Sequence, residues 1–123
     1  IARKSYVVLS ALLELKEGLQ TEIEGRMQEL KEARTTKQPL EYPSAGSTFK
    51  RPAGYFAGKL IMDAGLRGYR VGGAEVSEKH CGFVINRGDA TAEDVMKLIR
   101  HVQTEVRDKF GVELEMEVKT LGF

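Results

Sequence analysis

The feature that most restricts how this chain can fold lies between residues 91 and 111. Thr91, followed three residues later by Asp94, has the form of a helix capping box. Val95, Leu98, Ile99, Val102, Val106 and Phe110 then recur at helical spacing until Gly111. The pattern predicts an amphipathic helix over 91–110, which has to lay its apolar stripe on another layer. The rest of the sequence offers short β-type runs for that layer. Tyr69 to Val76 and Phe83 to Asn86 are two of them, separated by Ser-Glu-Lys-His-Cys-Gly, and they predict two short strands. Val112, Leu114, Met116 and Val118 alternate with Glu113, Glu115 and Glu117, which predicts a half-buried final strand. Phe56, Leu60, Ile61 and Ala64 predict a short helix over 55–64, stopped by Gly65 and Gly68. This mixed order of elements predicts an α+β domain with a small mixed sheet and packed helices.

The first third of the chain reads differently. Tyr6 to Leu15 is β-rich at its start, and Leu9, Ala11, Leu13 and Leu15 alternate with Ser10 and Glu14, which predicts a strand. Gly18 breaks it. Thr21 and Glu24 repeat the capping-box spacing, and Ile23, Met27 and Leu30 share one face, so a helix is expected near 21–34. From Arg34 to Ser47 two prolines and a glycine among small polar residues predict an irregular loop, the kind of segment that often carries function. The chain starts at Ile1 without Met and its first element begins almost at once, the expectation for a truncated start.

Several function classes can be set aside. A net charge of +1, from 19 basic and 18 acidic residues, creates no global field for nucleic acid or an anionic membrane. One cysteine, Cys81, rules out an internal disulfide framework, and with two histidines it is too little for a common zinc site. The apolar run at Tyr6 to Leu15 is too short to span a membrane. A cytoplasmic setting is compatible with all of this.

Candidate motifs carry bland readings beside sharp ones. Gly54-Tyr-Phe-Ala-Gly58-Lys59-Leu60 is one residue short of a phosphate loop and lacks its Mg-binding hydroxyl. A dinucleotide G-x-G-x-x-G is absent. His80 and Cys81 are adjacent, so on an extended segment they point apart and form no dyad. His80 by itself reads as a hydrogen-bonding loop residue, and His101 as a structural or solvated helix residue. Glu113, Glu115 and Glu117 read as a solvated face. Ser44-Ala-Gly-Ser47-Thr-Phe-Lys50 is a turn by default, though its glycine and hydroxyls can approach a ligand closely. No G-x-S-x-G elbow accompanies it, which disfavours hydrolase chemistry.

Taken in order, these segments form a pattern. Lys37-Gln-Pro-Leu-Glu-Tyr-Pro-Ser-Ala-Gly-Ser-Thr-Phe-Lys-Arg-Pro52 is similar to the stretch that introduces the third domain of UDP-N-acetylenolpyruvoylglucosamine reductases. The likeness continues through Ala57-Gly-Lys-Leu-Ile61, Ala64-Gly-Leu-Arg-Gly68 and Gly72-Gly-Ala-Glu-Val-Ser77. It extends further through Lys79-His-Cys-Gly-Phe-Val-Ile-Asn86, Ala90-Thr-Ala-Glu-Asp-Val95 and Leu114-Glu-Met-Glu-Val118. The wording around Lys79-His80 looks like the shorter branch of the family, which lacks a separate tyrosine-bearing loop.

The resemblance implies a part of a flavoenzyme that uses FAD and NADPH to reduce UDP-N-acetylglucosamine enolpyruvate to UDP-N-acetylmuramate, a peptidoglycan precursor made in the cytoplasm. It implies that residues 37–123 form the substrate-binding domain, and that residues 1–36 are a strand-helix remnant closing the flavin-binding domain. Ser47 resembles the family's proton donor and Glu117 its catalytic carboxylate. Lys37, Arg51 and His80 match positions associated with substrate binding. The family's catalytic arginine and its flavin site belong to sequence that would precede this chain. Self-association through the N-terminal strand is a further expectation, since an unpaired strand edge invites it. The competing reading is a stand-alone nucleotide-sugar binding or regulatory module without redox activity. The absent dinucleotide motif gives a first expected outcome: the purified 123-residue chain is colourless and does not oxidise NADPH. Its visible spectrum checks this, and a stoichiometric yellow cofactor would overturn it.

Overall fold

The computed structural model describes residues 5–122. The chain divides into two units, Ile1–Lys31 and Glu32–Phe123. Residues 1–4, the beginning of the expected N-terminal strand-helix segment, lie outside the described residues.

In the first unit residues 6–19 carry neither helix nor strand. The strand expected over Tyr6–Leu15 is therefore corrected. A strand is made by a neighbour's N–H and C=O groups and by a surface for its apolar side, and alternation alone supplies neither. Val7, Leu9 and Leu12 are 81%, 92% and 100% exposed. Helix α1 spans Gln20–Lys37, longer than expected. Because it starts at Gln20, Thr21 sits within its first turn and no capping box with Glu24 forms. Gln20 Nε2 takes the Glu24 carboxylate instead, at 2.9 Å. Its apolar residues Ile23, Met27 and Leu30 remain about half exposed or more, so the helix is held by local pairs such as Arg26–Glu29 at 2.9 Å.

The second unit holds the expected α+β fold. Four strands, β1 (Ser44–Ser47), β2 (Arg70–Val71), β3 (Ala74–Val76) and β4 (Phe83–Asn86), form one sheet in the order β1-β4-β3-β2. Every pairing is antiparallel, where a mixed sheet was expected. The run Tyr69–Val76 is a hairpin rather than one strand. Gly72 and Gly73 form its two-residue turn, with Val71 opposite Ala74 and a positive φ of 55° at Gly72. A Cβ on Gly73 would lie 2.1 Å from the Gly88 carbonyl oxygen, so the turn fits against the 88–90 loop only without side chains. Ser44–Ser47, expected as loop, is a strand because β4 offers it an open edge.

Helix α3 (Ala92–Phe110) behaves as its sequence says. Thr91 caps it, accepting from the Asp94 N–H at 3.0 Å while Asp94 accepts from the Thr91 N–H at 3.1 Å. Gly111 ends it in the left-handed conformation, φ 68°. Leu98, Ile99, Val102 and Val106 are buried against Ala74, Val76 and Val84 of the sheet and against Leu60, Ile61 and Ala64. The last three sit on or just after helix α2 (Ala57–Asp63). Each such side chain contributes about 1.5–3 kcal/mol on leaving water.

Between Ala74 and Val76, Glu75 points to the other face of the sheet. It is buried there, its Oε2 lying 3.4 Å from Arg70 and 3.2 Å from Arg87, within ion-pair distance but without hydrogen-bond alignment to either. The expected final strand over 112–118 is also corrected. Its alternation holds, with Leu114 buried and Glu113, Glu115 and Glu117 exposed, but only one isolated bridge forms, Phe49 with Met116.

The Thr91 backbone N–H holds the Asp94 carboxyl below its ordinary value near 3.8, and the Gly73 N–H adds to this. A carboxyl whose folded pKa is depressed stabilises the fold above its unfolded pKa, and that contribution is lost as pH falls through the folded value. Asp94→Asn is therefore expected to lower stability at neutral pH and to converge with wild type below the usual aspartate range. Thr91→Ala is expected to cost about 1 kcal/mol. Urea denaturation of the chain at neutral and acid pH measures both, and a gap between Asp94→Asn and wild type that persists in acid would refute the linkage.

Candidate functional site

The site is organised around Thr48, just past β1. Its amide donates to the Gly82 carbonyl at 2.8 Å, and its buried hydroxyl accepts from the Val84 N–H at 3.0 Å. On the other side the Thr48 carbonyl accepts from the Glu117 N–H at 2.9 Å, and the Lys50 N–H donates to the Glu115 carbonyl at 2.8 Å. Residues 48–50 thus lie between the start of β4 and the 115–117 segment. The extended backbone alternates its side chains, so Ser47, Phe49 and Arg51 turn to one side while Thr48 and Lys50 turn to the other.

Ser47, Phe49 and Arg51 form one wall of an open cleft of about 430 Å³. The second wall comes from α2 and its approach, Phe56 to Lys59 and Met62, with Arg67 beyond it, and the third from the loop Lys79–Gly82. The lining carries four permanent cations, Arg51, Lys59, Arg67 and Lys79, together with His80 and no carboxylate. Two of these cations have acidic partners, Lys59 with Asp63 at 2.8 Å and Lys79 with Glu41 at 3.5 Å. Lys79 Nζ also donates to the Thr35 carbonyl at 3.0 Å, near the C-terminal end of α1. Glu41 is held below the usual carboxylate value, first by a backbone N–H and then by Lys79, with slight burial opposing. Arg51 stacks its guanidinium 4.2 Å over the Phe56 ring, and Arg67 contacts the Met62 sulfur at 3.1 Å. Neither arginine pairs with a carboxylate among the described residues. A concave wall of cations with uncommitted donors suits a multiply charged anion.

Of the residues expected from sequence, the cleft brings together Ser47, Arg51 and His80. Lys37 and Glu117 do not line it. Lys37 is exposed at the last position of α1. Glu117 is exposed, and the bridge between Phe49 and Met116 turns it toward Lys50 and Glu115. Lys50 and Glu115 form an ion pair there. Its hydrogen bond and charge raise the lysine above its ordinary value, and Glu117 adds a smaller pull. Sequence reasoning weighed Lys59 only as a phosphate-loop lysine and missed Arg67 and Lys79, although all three fall within the resembling segments.

The glycines weighed as dinucleotide or phosphate-loop candidates are packed against their neighbours. Gly72 and Gly73 are filled by Asp94, Gly88 and Ala90, and Gly58 is packed against His80 and Gly82. Lys59, the would-be phosphate-loop lysine, is paired with Asp63. No cluster of three metal-ligating side chains occurs among the described residues. His101 stacks on Tyr69, ring centroids 4.4 Å apart, a packing role away from the cleft.

The family model described as UDP-N-acetylenolpyruvoylglucosamine reductase, C-terminal domain, matches residues 38–121. A UDP-N-acetylenolpyruvoylglucosamine reductase of Lachnoclostridium phytofermentans is 66% identical over 99% of the chain, and one of Agathobacter rectalis is 63% identical over the same share. The chain spans 39% of the length of each of these relatives. Among solved structures, UDP-N-acetylenolpyruvylglucosamine reductase from Thermus caldophilus aligns with a TM-score of 0.68 at 42% identity, over 87% of this chain and 38% of that one.

Inorganic pyrophosphate is expected to bind the cleft, more weakly as salt rises. Arg51→Ala and Arg67→Ala are each expected to reduce its affinity about tenfold, the scale of one charge-assisted hydrogen bond. Titration calorimetry reads this directly, and an affinity indifferent to both changes would remove the anion from this cleft.

Proposed function

The chain belongs to the UDP-N-acetylenolpyruvoylglucosamine reductase C-terminal domain family, and on that premise we propose that it is the substrate-binding and proton-donating part of such a reductase. The substrate is UDP-N-acetylglucosamine enolpyruvate and the product UDP-N-acetylmuramate, for peptidoglycan synthesis in the cytoplasm. Residues 37–123 form the substrate domain and residues 1–36 the closing segment of a flavin domain. The observation that carries the reading is the cleft itself, where the Ser47 hydroxyl shares one cavity with Arg51, Arg67, Lys79 and His80 and with no carboxylate.

Reduction of an enolpyruvyl double bond adds a hydride and a proton across two carbons. In a reductase of this family the hydride is supplied by FAD reduced with NADPH. The work left to this chain is to hold the nucleotide sugar, orient its enolpyruvyl group and deliver the proton. Arginines and lysines on the cleft walls meet the diphosphate and carboxylate charges of the substrate. Phe49 and Phe56 give the same cleft apolar wall for the sugar and its side group. A serine hydroxyl is a weak acid in water, so Ser47 becomes a proton donor only beside a carbanion-like centre, which the reduced enolpyruvyl carboxylate provides.

Glu117 is the catalytic carboxylate in this reading by family likeness. Its backbone N–H is bonded to the Thr48 carbonyl, one residue from Ser47, and its side chain stands on the Lys50 side of the 48–50 segment, so the role requires the carboxylate to turn toward the cleft. Lys37 supports the substrate from the end of α1 in this reading.

The reading is tested in the longer reductase that contains this chain. Ser47→Ala is expected to lower kcat about 10²–10⁴-fold while leaving KM for the enolpyruvyl substrate nearly unchanged. Ser47→Cys should restore part of the rate. Steady-state kinetics separates the two parameters, and a Ser47→Ala enzyme with wild-type kcat would dismiss Ser47 as proton donor.

A further inference from the structure

The loop that carries His80 is built to one pattern. The Ser77 hydroxyl, buried, accepts from the N–H groups of both Lys79 and His80, at 3.2 and 3.3 Å. The Phe83 amide closes back on the His80 carbonyl at 3.0 Å, and the Phe83 ring lies against the imidazole with centroids 4.9 Å apart. The Gly82 N–H then donates to His80 Nδ1 at 3.0 Å. A ring nitrogen that accepts carries no proton, so the neutral ring bears its hydrogen on Nε2.

Two glycines make room for that ring. Gly82 has an ordinary backbone, yet a Cβ there would stand 2.8 Å from His80 Cε1 and 3.0 Å from Nδ1. Gly58 lies inside α2, where alanine is the better helix residue and glycine carries a cost. A Cβ on Gly58 would meet His80 Cε1 and the Gly82 nitrogen, each at 3.2 Å. Neither glycine is explained by φ; the imidazole accounts for Gly82, and the imidazole together with the Gly82 amide that bonds it accounts for Gly58.

We propose that Gly58 and Gly82 are positioning residues that lock His80 as a neutral imidazole protonated on Nε2, a fixed uncharged hydrogen-bond donor for a phosphoryl oxygen of the ligand in the cleft. The assignment rests on the anion-binding reading of the cleft and adds to it the form in which His80 acts. Among the permanent cations it supplies direction rather than charge. Its donor axis is set by Gly82 before any ligand arrives.

The experiment uses the 123-residue chain labelled with ¹⁵N on histidine, with long-range proton–nitrogen correlation at neutral pH, and pyrophosphate as the probe. In the wild type His80 is expected to show an unprotonated Nδ1 and a protonated Nε2. Gly58→Ala should keep the chain folded, since alanine favours the helix, but shift that signature toward a mixture of tautomers. An imidazolium or an Nδ1-protonated ring in wild type would overturn the lock, and so would a Gly58→Ala spectrum identical to wild type. For the ligand, the glutamine side chain places an amide N–H where Nε2 stands, whereas asparagine can satisfy only the Gly82 side. His80→Gln should hold pyrophosphate within a few-fold of wild type, and His80→Asn should lose about tenfold. Equal affinity of the two variants would overturn the donor role. A wild type with the expected tautomer that binds no pyrophosphate would instead strike down the anion-binding reading of the cleft, and the donor role with it, while the tautomer result confirms the lock.

Discussion

Thr48 is the residue through which three separate stretches of backbone are joined. Its amide and hydroxyl engage Gly82 and Val84, and its carbonyl receives Glu117. A buried hydroxyl that leaves its acceptor role empty forfeits about 1–3 kcal/mol through the amide it abandons, so the stitch resists slippage. A shift of one residue would send every side chain to the opposite face. Ser47, Phe49 and Arg51 would then leave the cleft, and Thr48 and Lys50 would enter it. The chemistry available on that wall follows from a register that one threonine pins.

The other two walls are placed by packing against α3. Ile61 and Leu60 anchor α2 to the apolar stripe, and Val76 and Val84 anchor the sheet on either side of the Lys79–Gly82 loop. The cations around the cleft are then restrained unequally. Lys59 and Lys79 answer to Asp63 and Glu41, whereas Arg51 and Arg67 lean on an aromatic ring and a thioether. Stacking holds a guanidinium in place while leaving its in-plane donors for a partner. The cleft thus keeps its most directional donors uncommitted.

How far the sequence disclosed this depends on whether an element carries its own instructions. Helix α3 does, because the cap, stripe and terminal glycine are all local. The alternation at 112–118 also showed which residues would be buried, but pairing depends on a partner strand, and only Phe49 supplies it. At Tyr6–Leu15 the same alternation formed no strand, since periodicity describes a surface and cannot create the neighbour that covers it. The Gly72-Gly73 turn was legible as a turn signal and was read through, which merged two strands into one. In the cleft, Ser47, Arg51 and His80 were reached through family likeness, not through local chemistry. Arg67 and Lys79 escaped because a cation becomes a site residue only when folding sets it beside others, and Glu117, named by likeness as the catalytic carboxylate, stands on the Lys50 side of the Phe49–Met116 bridge.

The buried carboxylate of Glu75 has an effect on how this domain can change over generations. It stands between Arg70 and Arg87 on the face of the sheet away from the core, and Arg87 donates to the Tyr42 hydroxyl at 2.6 Å. Losing Glu75 first would leave two partly exposed guanidiniums without the carboxylate they share. Losing either arginine first leaves a balanced pair. The three positions are therefore coupled, so a substitution at one changes what a substitution at either of the others costs.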